Sequence, residues 1–273
     1  MKHFYENIEG WSHYLAPFYH YIVPQLPNNC KVVELGCWMG KSLSCLAVEL
    51  INSGKTFELS AVDHWRGNEN EGWYYQSDQV KTLIDTRRIV DLFKENISPV
   101  IDRVNIIEMA SVDGAKQFED SSLDLVVVDD DHSYDGVKRS IRAWLPKVKP
   151  GGFLAGDDHD ANFAPLVQAI TEIFPEYKIV GPDHNIYYGD RQAGAWLWQK
   201  PLEGWVMPEI RLLNEDEFIP EPPAVPEFIL ATVPTDPEPE PEVEPEPEAD
   251  PEPAKISLQN PRVRNIIQGS LPE

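Results

Sequence analysis

The stretch VVELGCWMGKS, from Val32 to Ser42, decides the fold. Val32, Val33 and Leu35 read as the end of a buried strand, and Gly36 and Gly40 bracket a tight turn. From Ser42 to Ile51, the residues Leu43, Leu46, Ala47, Leu50 and Ile51 recur at helical spacing. A strand that runs through a glycine turn into a helix aims backbone N–H groups at whatever sits over the turn, with no Cβ in the way. That geometry suits a nucleotide or nucleoside. A phosphate-cradling P-loop needs four residues between its glycines, and here only three separate Gly36 from Gly40. A dinucleotide fingerprint needs glycine two positions after the first, where Trp38 stands. Glu34, just ahead of the turn, suits a cationic or ribose-bearing ligand better than a pyrophosphate. Taken alone, the stretch is also compatible with an ordinary turn between strand and helix.

Outward from this point the chain alternates strands and helices. Upstream, Tyr14, Phe18, Tyr21 and Ile22 lie at helical spacing in an aromatic-rich segment. It reads as a helix packed on the sheet or, more sharply, as a lid over a substrate. Downstream, Phe57 to Val62 is a strand ending in Asp63, His64 to Gly72 a loop, and Val80 to Ile97 a helix. Asn105 to Met109 is a third strand, closed by Ala110 and Ser111. Leu123 to Val128 is a continuous apolar run, of the kind buried on both faces of a parallel sheet. A helix spans Gly136 to Val148, a fifth strand Phe153 to Ala155, and a further helix Ala164 to Phe174. Tyr177 to Val180 and Ala195 to Trp198 read as a closing antiparallel pair. The pattern predicts a doubly wound, mostly parallel α/β sheet of seven strands with an antiparallel strand near its C-terminal end. Such sheets bind ligands beyond the carboxyl ends of their strands.

Charge divides the chain. The net charge of −23 argues against a nucleic-acid partner, since like charge would meet the phosphate backbone. Fourteen of the acidic residues fall between Glu215 and Glu252, where no basic residue occurs. The organisation read from this is an N-terminal aromatic helical segment (1–28), a catalytic domain (29–200), a connector (201–214), a Pro/Glu-rich linker (215–255) and a short C-terminal peptide (256–273). The linker's PEPEPEVEPEPEADPEP run lacks apolar residues to bury and repels itself, so it is expected to be disordered and extended. The terminal peptide carries Ile256, Leu258, Val263 and Ile267 with Arg262 and Arg264, and reads as a frayed end or as a docking peptide for a protein partner. Cys30, Cys37 and Cys45 form no disulfide framework and lack zinc spacing with paired histidines, which fits a reducing compartment. No signal peptide or apolar run long enough to span a membrane is evident, so the expectation is a cytoplasmic protein without membrane contact.

Polar residues gather at the strand ends. Asp63 is placed to accept hydrogen bonds from ribose hydroxyls, and Ser111 to flank a base. The fourth strand ends in Asp129-Asp130-Asp131-His132 and the fifth in Asp157-Asp158-His159. Carboxylates packed this densely repel one another and are explained by a cation or by a solvated acidic rim. Without cysteine, such a set selects a hard ion such as magnesium, calcium or manganese.

The segment LDLVVVDDDHSYDGVKRSIRAWLPKVKPGGFLAGDD resembles the methyltransferase family 24 group of class I S-adenosylmethionine-dependent methyltransferases. Gly10-Trp11, the E-L-G-C-W-x-G-K-S stretch and V-D-H-W-R-G from Val62 to Gly67 match as well, so the similarity spans most of residues 8 to 160. The resemblance implies S-adenosylmethionine as cofactor, held by Glu34, Gly36, Gly40, Ser42, Asp63, Ser111 and Asp129. The acidic positions are also similar to those of catechol-type O-methyltransferases. This implies Mg2+ or Mn2+ on Asp129, Asp157 and Asp158, with Asp158 standing where those relatives have asparagine. Where they carry a lysine base, this chain has His132, the catalytic residue expected here. His64, His159 and Tyr134 are nearby candidates for binding. The activity implied is methyl transfer to a small hydroxylated acceptor such as a sugar or polyol, with no nucleic acid involved and an oligomer compatible with the sequence. A nicotinamide-dependent oxidoreductase and a non-catalytic binding or scaffold protein of the same fold are the alternatives.

Overall fold

Alternate residues of the buried strands point to opposite faces of one sheet, and each face has its own core. Val32 packs into one apolar cluster while Val33 and Leu35 pack into the other, and Leu125 and Val127 are likewise separated from Val126 and Val128. The computed structural model describes residues 1–67, 78–188, 193–204, 206–207 and 210–213. The linker and the terminal peptide lie outside the described residues.

Helix α1 (Leu15–Ile22) precedes β1 (Cys30–Leu35), which leads through the glycine turn into α2 (Lys41–Asn52) and β2 (Phe57–Asp63). Helices α3 (Asp78–Asp85) and α4 (Arg88–Asn96) then return the chain to β3 (Val104–Glu108). A single turn, α5 (Ser111–Gly114), comes before β4 (Leu123–Val128), followed by α6 (Tyr134–Trp144) and the long β5 (Val148–His159). Helix α7 (Ala164–Ile173) and three short strands, β6 (Lys178–Val180), β7 (Ile186–Tyr188) and β8 (Gly194–Gln199), complete the domain.

The eight strands lie in the order β3-β2-β1-β4-β5-β8-β6-β7. Pairings from β3 to β5 are parallel, and those of β8 with β5, β6 with β8 and β7 with β6 are antiparallel. The chain leaves β1 in one direction for β2 and β3 and returns on its other side as β4. That reversal opens a crevice at the carboxyl ends of β1 and β4, where open α/β sheets bind ligands.

Three details depart from the sequence reading. The strand β7 is an eighth, hidden in sequence because Gly181, Pro182, Asp183 and Asn185 surround its three residues with turn formers. The helix expected over Val80 to Ile97 is two helices, broken at Arg87, whose φ of 62° is left-handed. The fifth strand runs on through Asp157, Asp158 and His159 rather than ending at Ala155. The aromatic segment follows the plainer of its readings: Leu15, Phe18, Tyr19 and Ile22 of α1 are in the core.

Candidate active site

Two cavities open side by side beyond the strand ends. The first, about 200 Å³, lies over β1, β2 and β4 and is lined by Gly36, Trp38, Asp63, Trp65, Ser111 and Asp129, among others. The second, about 480 Å³, lies over β1, β4 and β5, with Trp11, Tyr14, His132, Asp158 and Phe163 in its walls. Gly36, Trp38 and Asp129 belong to both, so the two spaces meet at the β1–β4 crevice. Gly36 makes this junction. Its φ is +77°, and a Cβ there would come within 1.7 Å of the Asp129 carbonyl oxygen, so only glycine lets the two strand ends approach.

Asp63 closes β2 at the wall of the first cavity. Its Oδ2 accepts from the Trp38 amide at 2.9 Å and its Oδ1 from the Trp65 amide at 2.6 Å. One carboxylate thereby ties the loop after β1 to the loop after β2. Burial raises its pKa, an effect that these two amide bonds oppose.

The run after β4 divides its labour residue by residue. Asp129 faces both cavities. Asp130 is turned inward, its Oδ2 accepting from Ser140 at 2.6 Å, and burial raises its pKa. Asp131 Oδ1 accepts from the Ser133 amide at 2.9 Å, and the Ser133 hydroxyl caps α6 by accepting from the Gly136 amide at 3.1 Å. Only Asp129 and His132 of this run reach the second cavity.

There they meet β5. The pairing of β5 with β8 shifts register between Gly156 and His159, and within that irregularity Asp158 has a φ of 55°. A bulge of this kind re-aims side chains. Asp158 Oδ2 lies 3.1 Å from His132 Nε2, and Asp129 Oδ1 lies 3.5 Å from the same nitrogen. One ligand atom from each of Asp129, His132 and Asp158 falls within 4.8 Å of the others. Asp157 sits beside them, buried, and its Oδ1 has no hydrogen-bond partner. Burial, then the charges of Asp129 and Asp158, push its pKa well above the usual carboxylate range.

This arrangement meets three comparisons. Residues 33–159 match the profile of a family described as a methyltransferase domain. Over these residues, just under half of the chain, it resembles a methyltransferase domain. The chain is also 25% identical over 229 residues to the uncharacterized protein y4gI of Sinorhizobium fredii, covering 84% of its own length and 23% of that protein. Among solved structures it is similar to a SAM-dependent O-methyltransferase from Thermotoga maritima (15% identity, 69% and 66% of the two chains, TM-score 0.41). It is similar as well to the O-methyltransferase NovP (15% identity, 68% and 78%, TM-score 0.43). At such identities the reaction has to be argued from the site itself.

Of the residues expected to hold the cofactor, the fold places Gly36, Asp63, Ser111 and Asp129 around the first cavity. Glu34 and Gly40 line neither cavity. Glu34 is fully buried, accepting from the Tyr19 hydroxyl at 2.5 Å and the Ser42 hydroxyl at 2.7 Å. Desolvation pushes its pKa up to about 8. Ser42 lines the second cavity, but its hydroxyl is spent on Glu34. Gly40, with a φ of +89°, makes room for a neighbour: a Cβ there would stand 2.6 Å from Ile97. His132, expected as a base, groups with Asp129 and Asp158 as a potential ligand, and Asp157, expected as a ligand, lines the same cavity beside that group. His159 is wholly buried, paired with the Tyr177 hydroxyl at 2.9 Å. Tyr134 hydrogen-bonds Glu172 at 2.5 Å away from the site, while His64 lines the first cavity.

Several contributors were not read from sequence. The segment before α1 supplies Gly10, Trp11, His13 and Tyr14 to the second cavity, and Tyr14 donates to Asp160 Oδ2 at 3.2 Å. Burial first, then Asp160, pushes the Tyr14 hydroxyl up to about 12. So the aromatic segment both packs on the sheet through α1 and walls the site. The paired Gly10-Trp11 was its one visible signal.

Proposed function

We propose that the chain is an S-adenosylmethionine-dependent O-methyltransferase for a small hydroxylated acceptor, working with a divalent cation at Asp129, His132 and Asp158. One observation carries this reading. A cavity with the carboxylate of Asp63 in its wall meets at Asp129 a second cavity lined by a carboxylate–imidazole cluster. S-adenosylmethionine supplies an electrophilic sulfonium methyl. The first cavity orients it through Asp63 on the ribose hydroxyls and through the amides and open space of the Gly36 turn. Gly36, Trp38 and Asp129, common to both cavities, would let a methyl donor held in the first reach an acceptor hydroxyl held in the second.

The donor set fits a cation. Two carboxylates and an imidazole converge, and the buried Asp157 oxygen beside them lacks a partner. Adding an imidazole to oxygen ligands favours manganese over magnesium relative to an all-carboxylate set. Such an ion supplies Lewis acidity toward an acceptor oxygen. The remaining walls suit a sugar or polyol. Trp11, Tyr14, Trp38 and Phe163 offer flat apolar faces, and Asp160, Asn162 and Lys41 offer polar contacts. The aspartates disfavour an anionic acceptor.

A metal-free variant of the same reaction draws on the 3.1 Å contact between His132 and Asp158. There Asp158 orients the imidazole, and His132 takes the acceptor proton directly. The two are separated by assaying transfer to a panel of sugars and polyols in chelator and then with manganese or magnesium restored. Loss and recovery support the cation. Full activity in chelator leaves His132 as the base. Failure of S-adenosylmethionine to bind, measured by calorimetry, would overturn both.

A further inference from the structure

Helix α4 stands outside both cavities, yet it holds the two loops that form the wall of the first. At its N-terminal end the Arg87 Nη1 donates to the carbonyls of His64 at 2.8 Å and Trp65 at 2.7 Å, while Nη2 pairs with Glu108. At its C-terminal end the Asn96 side-chain amide donates to the Met39 carbonyl at 3.0 Å. Between these ends, Phe93 lies against the Trp65 ring at 4.7 Å, and Ile97 occupies the space that Gly40 leaves open. The loops are cross-tied as well. The Trp65 indole donates to the Trp38 carbonyl at 2.7 Å, and Asp63 accepts from the amides of both tryptophans. Trp38, Trp65 and Arg87 have φ values of 46°, 48° and 62°, a left-handed conformation disfavoured for such side chains. Three strained residues in one hydrogen-bonded network persist only because the surroundings over-determine them.

We infer that Arg87 is a positioning residue for the cofactor cavity: its guanidinium, outside the cavity, locks the Trp65 loop and so aims the Asp63 carboxylate. The inference rests on reading the first cavity as the S-adenosylmethionine site. It also explains the helix break, because a helix continuing through Arg87 would carry the guanidinium away from the two carbonyls.

The test compares Arg87→Ala, Arg87→Lys and Arg88→Ala in the full chain. Arg88 pairs on the surface with Asp91 and serves as the neighbouring control. Calorimetry gives the dissociation constant for S-adenosylmethionine, and hydrogen exchange reads the peptides covering 36–40 and 62–67. For Arg87→Ala the expected result is about a tenfold or greater rise in the constant, as lost charge-assisted hydrogen bonds imply. Exchange should quicken in those two peptides and stay unchanged in the peptide covering β4. Arg87→Lys keeps the cation and should recover part of the affinity, and Arg88→Ala should match the parent. Equal affinity and equal exchange in Arg87→Ala and the parent would overturn the inference. If the parent itself fails to bind, the cofactor reading falls, and the exchange comparison still decides whether Arg87 holds the wall. Exchange that quickens uniformly over the domain would overturn positioning in favour of general destabilisation.

Discussion

At the scale of single residues, neighbours in sequence have opposite fates. Asp129 and His132 face the acceptor cavity, and Asp130 and Asp131 between them are consumed by Ser140 and the Ser133 amide. Substitutions should separate them. His132→Ala should lower turnover about 10²–10⁴-fold, the range for a positioned base, with cofactor affinity kept. A larger loss together with lost manganese binding would assign it as a ligand. Asp158→Asn keeps a residue tolerant of φ 55° and removes one of several crowded charges, so melting temperature should hold or rise while metal affinity falls. Glu34 allows a test of sign. Its pKa is raised from 4.5 to about 8 in the folded protein, so the folded state binds its proton more tightly than the unfolded one. The resulting stability is fully present below pH 4.5 and is lost as pH rises through about 8. Glu34→Gln, which can hydrogen-bond both Tyr19 and Ser42 without titrating, should therefore gain on the parent steadily between those limits. The gain is at most about 5 kcal/mol by the pKa difference. Denaturant melts at pH 5 and pH 8.5 check it, and a constant difference would mean Glu34 stays ionised.

At the scale of elements, the site depends on close approach and on clamps. Gly36→Ala would drive a methyl group into the Asp129 carbonyl, so the β1–β4 crevice cannot form as built. Misfolding or loss of cofactor binding is the expected outcome, seen by circular dichroism and calorimetry. Helices α6 and α7 are clamped by Lys138, whose Nζ lies 2.6 Å from Glu172 and 4.0 Å from the Tyr134 ring centroid. Glu172 is partly exposed, so losing this pair costs at most about 1 kcal/mol, and Lys138→Met should lower the denaturation midpoint slightly while cofactor affinity is unchanged. The clamp is remote from both cavities, which distinguishes it from Arg87.

At the scale of the whole molecule, the folded unit extends past the last strand. Ile210 is buried in the core and the Leu213 amide donates to Asp135 of α6 at 2.9 Å. From Glu215 onward acidic residues and prolines predominate, and the Pro/Glu run offers little to bury. Truncation after residue 214 should leave melting temperature nearly unchanged, whereas truncation after residue 204 should lower it by several degrees. A large drop from the shorter truncation would show the acidic segment to be part of the fold. No helix among the described residues is long and apolar enough to cross a membrane.

The sequence by itself determined the sheet, its order of strands and helices, and the strand ends at which chemistry gathers. Buried strands, glycine turns and amphipathic helices are local patterns, and local patterns survive in one dimension. It pointed to Gly36, Asp63, Ser111, Asp129, His132 and Asp158, which line the two cavities, because a parallel sheet brings every strand end to one edge. Tertiary structure alone decided which neighbour faces in. A bulge in β5 turned Asp158 toward His132 and buried Asp157, and register against β8 cannot be read from the strand that is bent. It also decided that Glu34 and Gly40 serve packing, since their partners Tyr19 and Ile97 are distant in sequence. Arg87 was invisible for the same reason: hydrogen bonds between remote segments leave no period in the chain.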